Sequence, residues 1–327
     1  MKALLFTLAV CGLFSLSNPR LDAQLPNCET KLVQAGQGIL VGEVTARKAL
    51  VQVRLTKSDN LVEKDVAGTP GVVEFTLLDA EKNVLATQSV KATPEQDFIA
   101  RAAFSELKPG QTYHCTTRIG SDTEHLNSGP SASFRTLFGK RVGRRVKFAV
   151  VTGMNYAKFH GDPRIDLAQH KIENNTDLPA PYKGPDKHLG YPGLSSILKQ
   201  QPHFFVGTGD NVYYDTPDKE RAQTIPELRQ KWHEQFVQPR YRDLFAAVPT
   251  YWMIDDHDYR IDDGDNSGDY LPTPAQGRQM MLEQLPVAPH DDDGALTYRT
   301  RRINRDLQIW FVENRMYRSP NLSEDGP

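Results

Sequence analysis

Two short polar clusters hold the residues whose types and spacing could do chemistry. The first reads Gly207-Thr208-Gly209-Asp210-Asn211-Val212-Tyr213-Tyr214-Asp215, and the second Trp252-Met253-Ile254-Asp255-Asp256-His257-Asp258-Tyr259. Each closes an apolar run of strand length, Phe204-Phe205-Val206 and Val248 to Ile254. In layered α/β domains, polar groups just past the carboxyl ends of strands converge on a site. Carboxylates from two separate strand ends suit a hard cation, whose oxygen ligands must approach from different elements. Crowded around one imidazole without such a cation, they would repel one another. Alone, a Gly-Asp pair is commonly a turn, and an acidic tetrad a helix cap or an exposed turn. Their recurrence after consecutive apolar runs favours chemistry.

The elements that must position these clusters can be read outward from them. Val146 to Val151 forms a compact apolar strand ending at Thr152-Gly153-Met154-Asn155-Tyr156, and helical spacing covers Gly193 to Gln200 and Ile225 to Phe245. Strands alternating with helices predict an α/β layered domain over residues 147–327. Upstream, residues 30–138 read instead as short alternating stretches: Ile39-Leu40-Val41, Leu50 to Leu55, Val72 to Leu78, Asn83 to Gln88, Asp97 to Phe104, Thr112 to Ile119 and Ala132 to Leu137. Thr69-Pro70-Gly71, Lys108-Pro109-Gly110 and Ser128-Gly129-Pro130 supply turns between them. This pattern predicts an all-β sandwich of immunoglobulin or fibronectin type III kind, a structural or docking module. Leu107 to Tyr113 has the form of a tyrosine corner, in which a strand-start Tyr bonds back to upstream backbone. Residues 139–146 are the expected linker, and Lys140 to Lys147 carries five basic residues in eight. Such a run is commonly solvated, although it could attract a phosphate-rich partner.

Composition sets the outer bounds. In 327 residues, 39 Lys plus Arg face 41 Asp plus Glu, a formal charge of -2 that excludes nucleic-acid binding by bulk charge. The amino terminus, Met1-Lys2 followed by the uncharged Ala3 to Leu16 and small residues up to Ala23, has the pattern of a signal peptide over residues 1–23. No other segment reaches transmembrane length. The expectation is a secreted or periplasmic monomer. Removal of Cys11 with the leader leaves Cys28 and Cys115, which allow one intramolecular disulfide.

At this point the motifs resemble a known family. Gly209-Asp210-x-x-Tyr213 is similar to the Gly-Asp-x-x-Tyr block shared by purple acid phosphatases and the alkaline phosphatase D family, and Asp255-Asp256-His257-Asp258-Tyr259 resembles the Asp-Asp-His block distinctive of the latter. Gly42-Glu43-Val44 and Val51 to Arg54 resemble that family's fibronectin-like leading domain, and Val312 to Pro320 its Leu-Asp-x-Arg-x-Tyr/Phe-Arg stretch. The resemblance implies a metallophosphatase domain of αββα type that hydrolyses small phosphate mono- or diesters by metal-activated hydroxide. It implies two or more metal ions, Fe3+ and Ca2+, with Asp210 and Tyr213 as ligands and Asp256 at the second metal. His257 would stabilise the phosphoryl charge or protonate the leaving oxygen.

The sequence also departs from that pattern. Thr152-Gly153 stands where the family places Ser-Cys, so a sulfur ligand is missing and the metals' identity is open; Asn155 is a weak oxygen substitute. The resemblance breaks off after Pro320, before the family's second half-sheet, so the expectation is an incomplete αββα domain and a chain that is a fragment. The alternative is a short, non-catalytic binding protein. Asp263-x-Asp265-x-Ser267-Gly268 begins like a calcium loop, but Pro274 stands where an EF-hand needs Glu, which leaves a mobile rim loop as the expectation. His160, His170, His188, His203 and His233 share no metal-ligand spacing and read as structural or exposed.

Overall fold

The computed structural model describes residues 33–324 apart from 175, 176, 293, 321 and 322. The signal-peptide pattern and Cys28 lie outside these residues. Seven strands come first: β1 (Ile39–Gly42), β2 (Ala49–Arg54), β3 (Gly71–Leu78), β4 (Val84–Ala92), β5 (Ile99–Phe104), β6 (Thr112–Gly120) and β7 (Leu126–Arg135). One sheet has the order β4-β3-β6-β7, and it faces β5-β2-β1 across a core that includes Val51, Val53, Val73, Phe75, Tyr113 and Phe134. Alternation does the sorting, because successive strand residues point to opposite faces. In β3, Val73, Phe75 and Leu77 are buried while Glu74, Thr76 and Leu78 are only partly so. The tyrosine corner forms as expected: Lys108 N donates to Tyr113 Oη at 2.8 Å. Cys115 is buried in this core, where desolvation pushes its thiol up to about 12.

One turn assignment is wrong. Ser128-Gly129-Pro130 runs within β7, paired to β6, with a register irregularity between Thr116 and Arg118. Pro130 has no N–H for the ladder, and its carbonyl instead accepts from Thr117 Oγ1 at 2.6 Å. A bulge satisfies the same residues that signal a turn.

The later elements are β8 (Phe148–Val151), α1 (Tyr156–His160), α2 (Leu167–Asn174), α3 (Pro192–Lys199), β9 (Phe204–Thr208), α4 (Ile225–Phe236), α5 (Pro239–Ala247), β10 (Thr250–Met253), α6 (Pro274–Gln284), β11 (Arg299–Arg302) and β12 (Gln308–Phe311). The single helix expected over Ile225 to Phe245 is two, since Pro239 starts a second helix by removing an interior donor. Helix α6 was unforeseen, yet its start signal is present: Thr273 N donates to Gln276 Oε1 at 2.7 Å, half of a capping box.

The sandwich does not stop where the α/β region begins. Strand β1 pairs in parallel with β10 at Gly42 and Thr250, giving one six-stranded sheet of order β5-β2-β1-β10-β9-β8. Thr250 Oγ1 donates to Val41 O at 2.9 Å, and Tyr251 Oη to Val44 O at 2.5 Å. Along β9 and β10 the faces alternate. Phe205 and Trp252 pack on Phe236 and Phe245 of the helical layer, while Phe204 and Tyr251 pack on the β11–β12 side with Phe311. Trp252 lies 5.2 to 5.8 Å from three aromatic rings, so both strand ends leave a rigid platform. Truncating such a side chain costs about 3–5 kcal/mol. Among the described residues, no helix is long and apolar enough to cross a membrane.

Candidate metal centre

Strands β9 and β10 are parallel neighbours, with Thr208 level with Met253, so their following loops leave the sheet side by side. The first loop turns at once through Gly209 (φ 112°) and Asp210 (φ 52°). A Cβ on Gly209 would lie 2.4 Å from Asp255 N, so glycine is what lets the two loops touch. Asp258 then binds them together. Its carboxylate accepts from Asp210 N (3.2 Å), Asn211 N (3.0 Å), Asn211 Nδ2 (2.7 Å) and Asp255 N (2.7 Å). Burial nonetheless pushes Asp258 up, to about 8, against those donors. The sequence groups Asp258 with the other carboxylates of its cluster, but it points inward as a brace.

With the loops so held, Asp210, Asp255 and Asp256 bring carboxylate oxygens within 4.8 Å of one another, and Asp256, His257 and Asp262 form a second such group. Asp210 Oδ2 accepts from Tyr213 Oη at 3.1 Å, whereas Asp210 Oδ1 is buried with no hydrogen-bond partner. An orphaned carboxylate oxygen among other carboxylates is what an oxygen-ligated cation would satisfy. Burial, and then the charges of Asp256 and Asp255, push Asp210 above the usual carboxylate range, partly offset by His257. The same burial and the Asp210 carboxylate push the Tyr213 phenol well up, so only a cation close by would turn it into a phenolate ligand.

Three further groups complete the site. His257 Nδ1 meets both Asp215 oxygens, at 2.9 and 2.8 Å, and its ring lies 4.3 Å from that of Tyr213. Although burial opposes it, Asp215 dominates and raises the imidazole to about 9, which favours the protonated ring. Asp215 is itself fixed, since Oδ2 accepts from Asp262 N at 2.7 Å. Arg315 reaches in from the chain after β12, with Asp255 held by Nε at 2.5 Å and Asp256 by Nη2 at 3.0 Å. The sequence reading names Asp210, Tyr213, Asp256 and His257, and the structure brings all four together. The sequence reading gives no role to Asp215, Asp255, Asp262 or Arg315; Asp215 and Asp255 stand inside the two clusters it singles out.

The missing first ligand is plain in the geometry. Gly153 sits at φ 71°, and a Cβ there would lie 3.8 Å from Tyr213 Oη, so the position faces the site but offers no ligand atom. Asn155 does not replace it, because its Oδ1 caps α1 by accepting from Lys158 N at 2.9 Å. The rim loop after Asp263 is anchored, in contrast to expectation. Fully buried Arg260 spends its donors on the carbonyls of Pro272, Asp265, Ser267, Gly268 and Tyr270 and stacks 3.6 Å from the Tyr270 ring, so a guanidinium fills the centre of that loop.

Comparison with known proteins follows the same outline. Residues 182–326 match the family model described as PhoD-like phosphatase. A solved structure of PhoD superposes with a TM-score of 0.62 at 16% identity, covering 92% of this chain and 56% of that one. A purple acid phosphatase, PPD1, from yellow lupin (Lupinus luteus) seeds is 10% identical over 81% of this chain and 42% of its own, with a TM-score of 0.47. This chain thus spans a little over half the length of the PhoD chain it matches, 56%. No curated protein matches it.

Proposed function

We propose that this chain, whose residues 182–326 match the PhoD-like phosphatase family model, is an exported, metal-dependent phosphoesterase acting on small phosphate mono- or diesters. The observation that carries this reading is the orphaned Asp210 Oδ1 set among Asp255 and Asp256 beside the Asp215–His257 pair. Residues 147–327 carry the chemistry, and residues 30–138 support them as a β-sandwich whose sheet runs on into β10. Export rests on the leader pattern of residues 1–23.

In this reading Asp210, Asp255 and Asp256 would hold one cation, with Tyr213 adjoining it, and Asp256 and Asp262 would face a second, while His257 keeps its protons and stays out of the ligand set. Such ions would neutralise phosphoryl charge and lower the pKa of a water. The protein's own groups do the remaining work. Asp215 orients His257 through Nδ1, which leaves Nε2 as the proton donor toward a departing alkoxide. Nε2 lies 3.5 Å from the exposed Asp262 carboxylate, a contact that a substrate oxygen could replace. Arg315 limits repulsion between Asp255 and Asp256 before any ion binds. Asp258 keeps the two loops at one separation, so ligand geometry is set before binding.

The identities Fe3+ and Ca2+ remain part of the proposal, with iron the weaker because Gly153 supplies no sulfur. That same glycine favours a second reading, a domain that binds phosphate esters without turning them over. The test is hydrolysis of an aryl phosphate monoester and diester by the metal-loaded protein. Turnover abolished by Asp210→Ala supports the enzyme; ester binding without turnover supports the second reading; activity unchanged in Asp210→Ala sinks the site.

A further inference from the structure

The basic run expected to be a free linker is laid down as part of a groove. Phe138 N donates to Ile303 O at 3.2 Å, Arg305 N to Val142 O at 3.0 Å, and Asn304 Nδ2 to Arg144 O at 2.7 Å. These bonds fasten residues 138–144 along the turn joining β11 and β12. Beside them opens a trough of about 760 Å3 whose cationic lining comes from three separate parts of the chain: Arg47, then Lys140 and Arg141, then Arg301 and Arg302. No carboxylate is among its lining residues.

Ordinary solvated basic runs are flexible and neutralised by neighbouring acids, and this one differs on both counts. Among the described residues, Arg47, Lys140, Arg141, Arg144 and Arg302 make no ion pair, while Glu43 is engaged by Arg299 and Arg301 and Asp306 by Arg305. Arg301 is held by Glu43 through Nη2, yet its buried Nε has no partner. Arg135 and Arg144 each place a guanidinium over the Phe138 ring, at 5.1 and 5.6 Å from its centroid, which tethers them to the floor of the trough. The trough adjoins the amino-terminal approach to β8, whereas the candidate metal centre lies beyond the carboxyl ends of β9 and β10, so a ligand here would not occupy that centre.

We propose that this trough is a binding site for a linear, phosphate-rich polyanion. Unpaired cations from three segments can surround a chain of phosphates from more than one side and release its counterions, whereas a single phosphate would meet only some of them. A planar anionic membrane would engage a flat or convex face, and this one is concave. The inference is one of binding and stands apart from catalysis at the metal centre.

The test uses the metal-free protein and a fluorescently labelled inorganic polyphosphate chain, read by anisotropy at two salt concentrations. The wild type is expected to bind, more weakly at the higher salt, and Arg141→Glu/Arg302→Glu to lose ~10-fold or more in affinity. Lys57→Glu/Lys91→Glu, an equal charge change on exposed lysines outside the trough lining, should retain most of it. If the charge-reversed pair fails to fold, Arg141→Gln/Arg302→Gln reads the same loss. Three results overturn the proposal: wild-type affinity in either trough pair, orthophosphate competing as well per phosphate as the chain, or binding to phosphatidylserine vesicles without binding to polyphosphate.

Discussion

Two histidine–carboxylate clusters in this molecule use the same side chains for opposite ends. At the seam between sandwich and helices, His233 of α4 meets Asp65 with one ring nitrogen and Asp97 with the other, both at 2.6 Å. Asp97 also takes a bidentate pair of bonds from Arg54 at 3.0 and 3.1 Å and another from Gln284 Nε2 at 2.8 Å. Although burial opposes it, His233 and Arg54 hold Asp97 well below the usual carboxylate range. At the strand ends, Asp210 is pushed the other way and keeps an oxygen unpartnered. In the first cluster every charge has a partner; the second is missing a positive charge. Residue type does not tell a structural cluster from a chemical one. The balance of charge and hydrogen bonds does.

That contrast can be broken by mutation, beginning where the effect is greatest. Asp97→Ala strips a buried arginine and histidine of their shared partner and should cost about 3–5 kcal/mol in urea unfolding. The pH dependence has a definite sign. Because Asp97 titrates lower folded than unfolded, its stabilisation is fully present above ~3.9 and is lost as pH falls further. Asp97→Asn should therefore flatten the acid limb of stability against pH.

Asp258→Ala comes next. It leaves three backbone N–H groups at the loop junction without an acceptor, so about 1–3 kcal/mol of stability should go. Metal affinity by titration calorimetry should fall ~10–100-fold, as for other groups that orient ligands without touching the ion. A loss of stability with affinity intact would mean that Asp258 does not set the site.

Asp210→Asn should have the opposite sign to Asp97→Asn in metal-free protein. An acid whose folded pKa is raised costs stability above that pKa and is relieved as pH falls, so removing its charge at pH 8 should raise Tm slightly, by no more than ~2 °C. The smallest effect belongs to Tyr213→Phe, which removes one 3.1 Å bond and should change stability by less than ~1 kcal/mol. If the ion beside it is ferric, the same variant abolishes visible absorption of the loaded protein.

Much of this was legible in the sequence because it rests on local period and on side-chain chemistry placed just after strands. The alternation in β3 and the Lys108–Tyr113 corner follow from neighbours in the chain. Asp210, Tyr213, Asp256 and His257 could be found because each belongs to a short motif. What escaped depends on contacts distant in sequence. The parallel pairing of β1 with β10 joins Gly42 to Thr250, and neither residue advertises it. Asp258 looks like its neighbours Asp255 and Asp256 until the Gly209 turn supplies the N–H groups that claim it. Arg260 lies beside a calcium-like loop and fills it, a role no spacing rule reveals. Pro130 misled, marking a turn where it lies inside a strand, and Pro274, which only ruled out an EF-hand, opens a helix.

The central claim is that Asp210, Asp255 and Asp256 form a cation site. Its most direct test is the melting temperature of metal-stripped protein as calcium, zinc or ferric ion is added, for wild type and Asp210→Asn side by side. An ion that binds only the folded state raises Tm with concentration, about 2.7 kcal/mol of stabilisation at 100 times Kd. The wild type should show that rise with at least one of these ions, and Asp210→Asn should not. Equal rises in both proteins, or none in either, would contradict it.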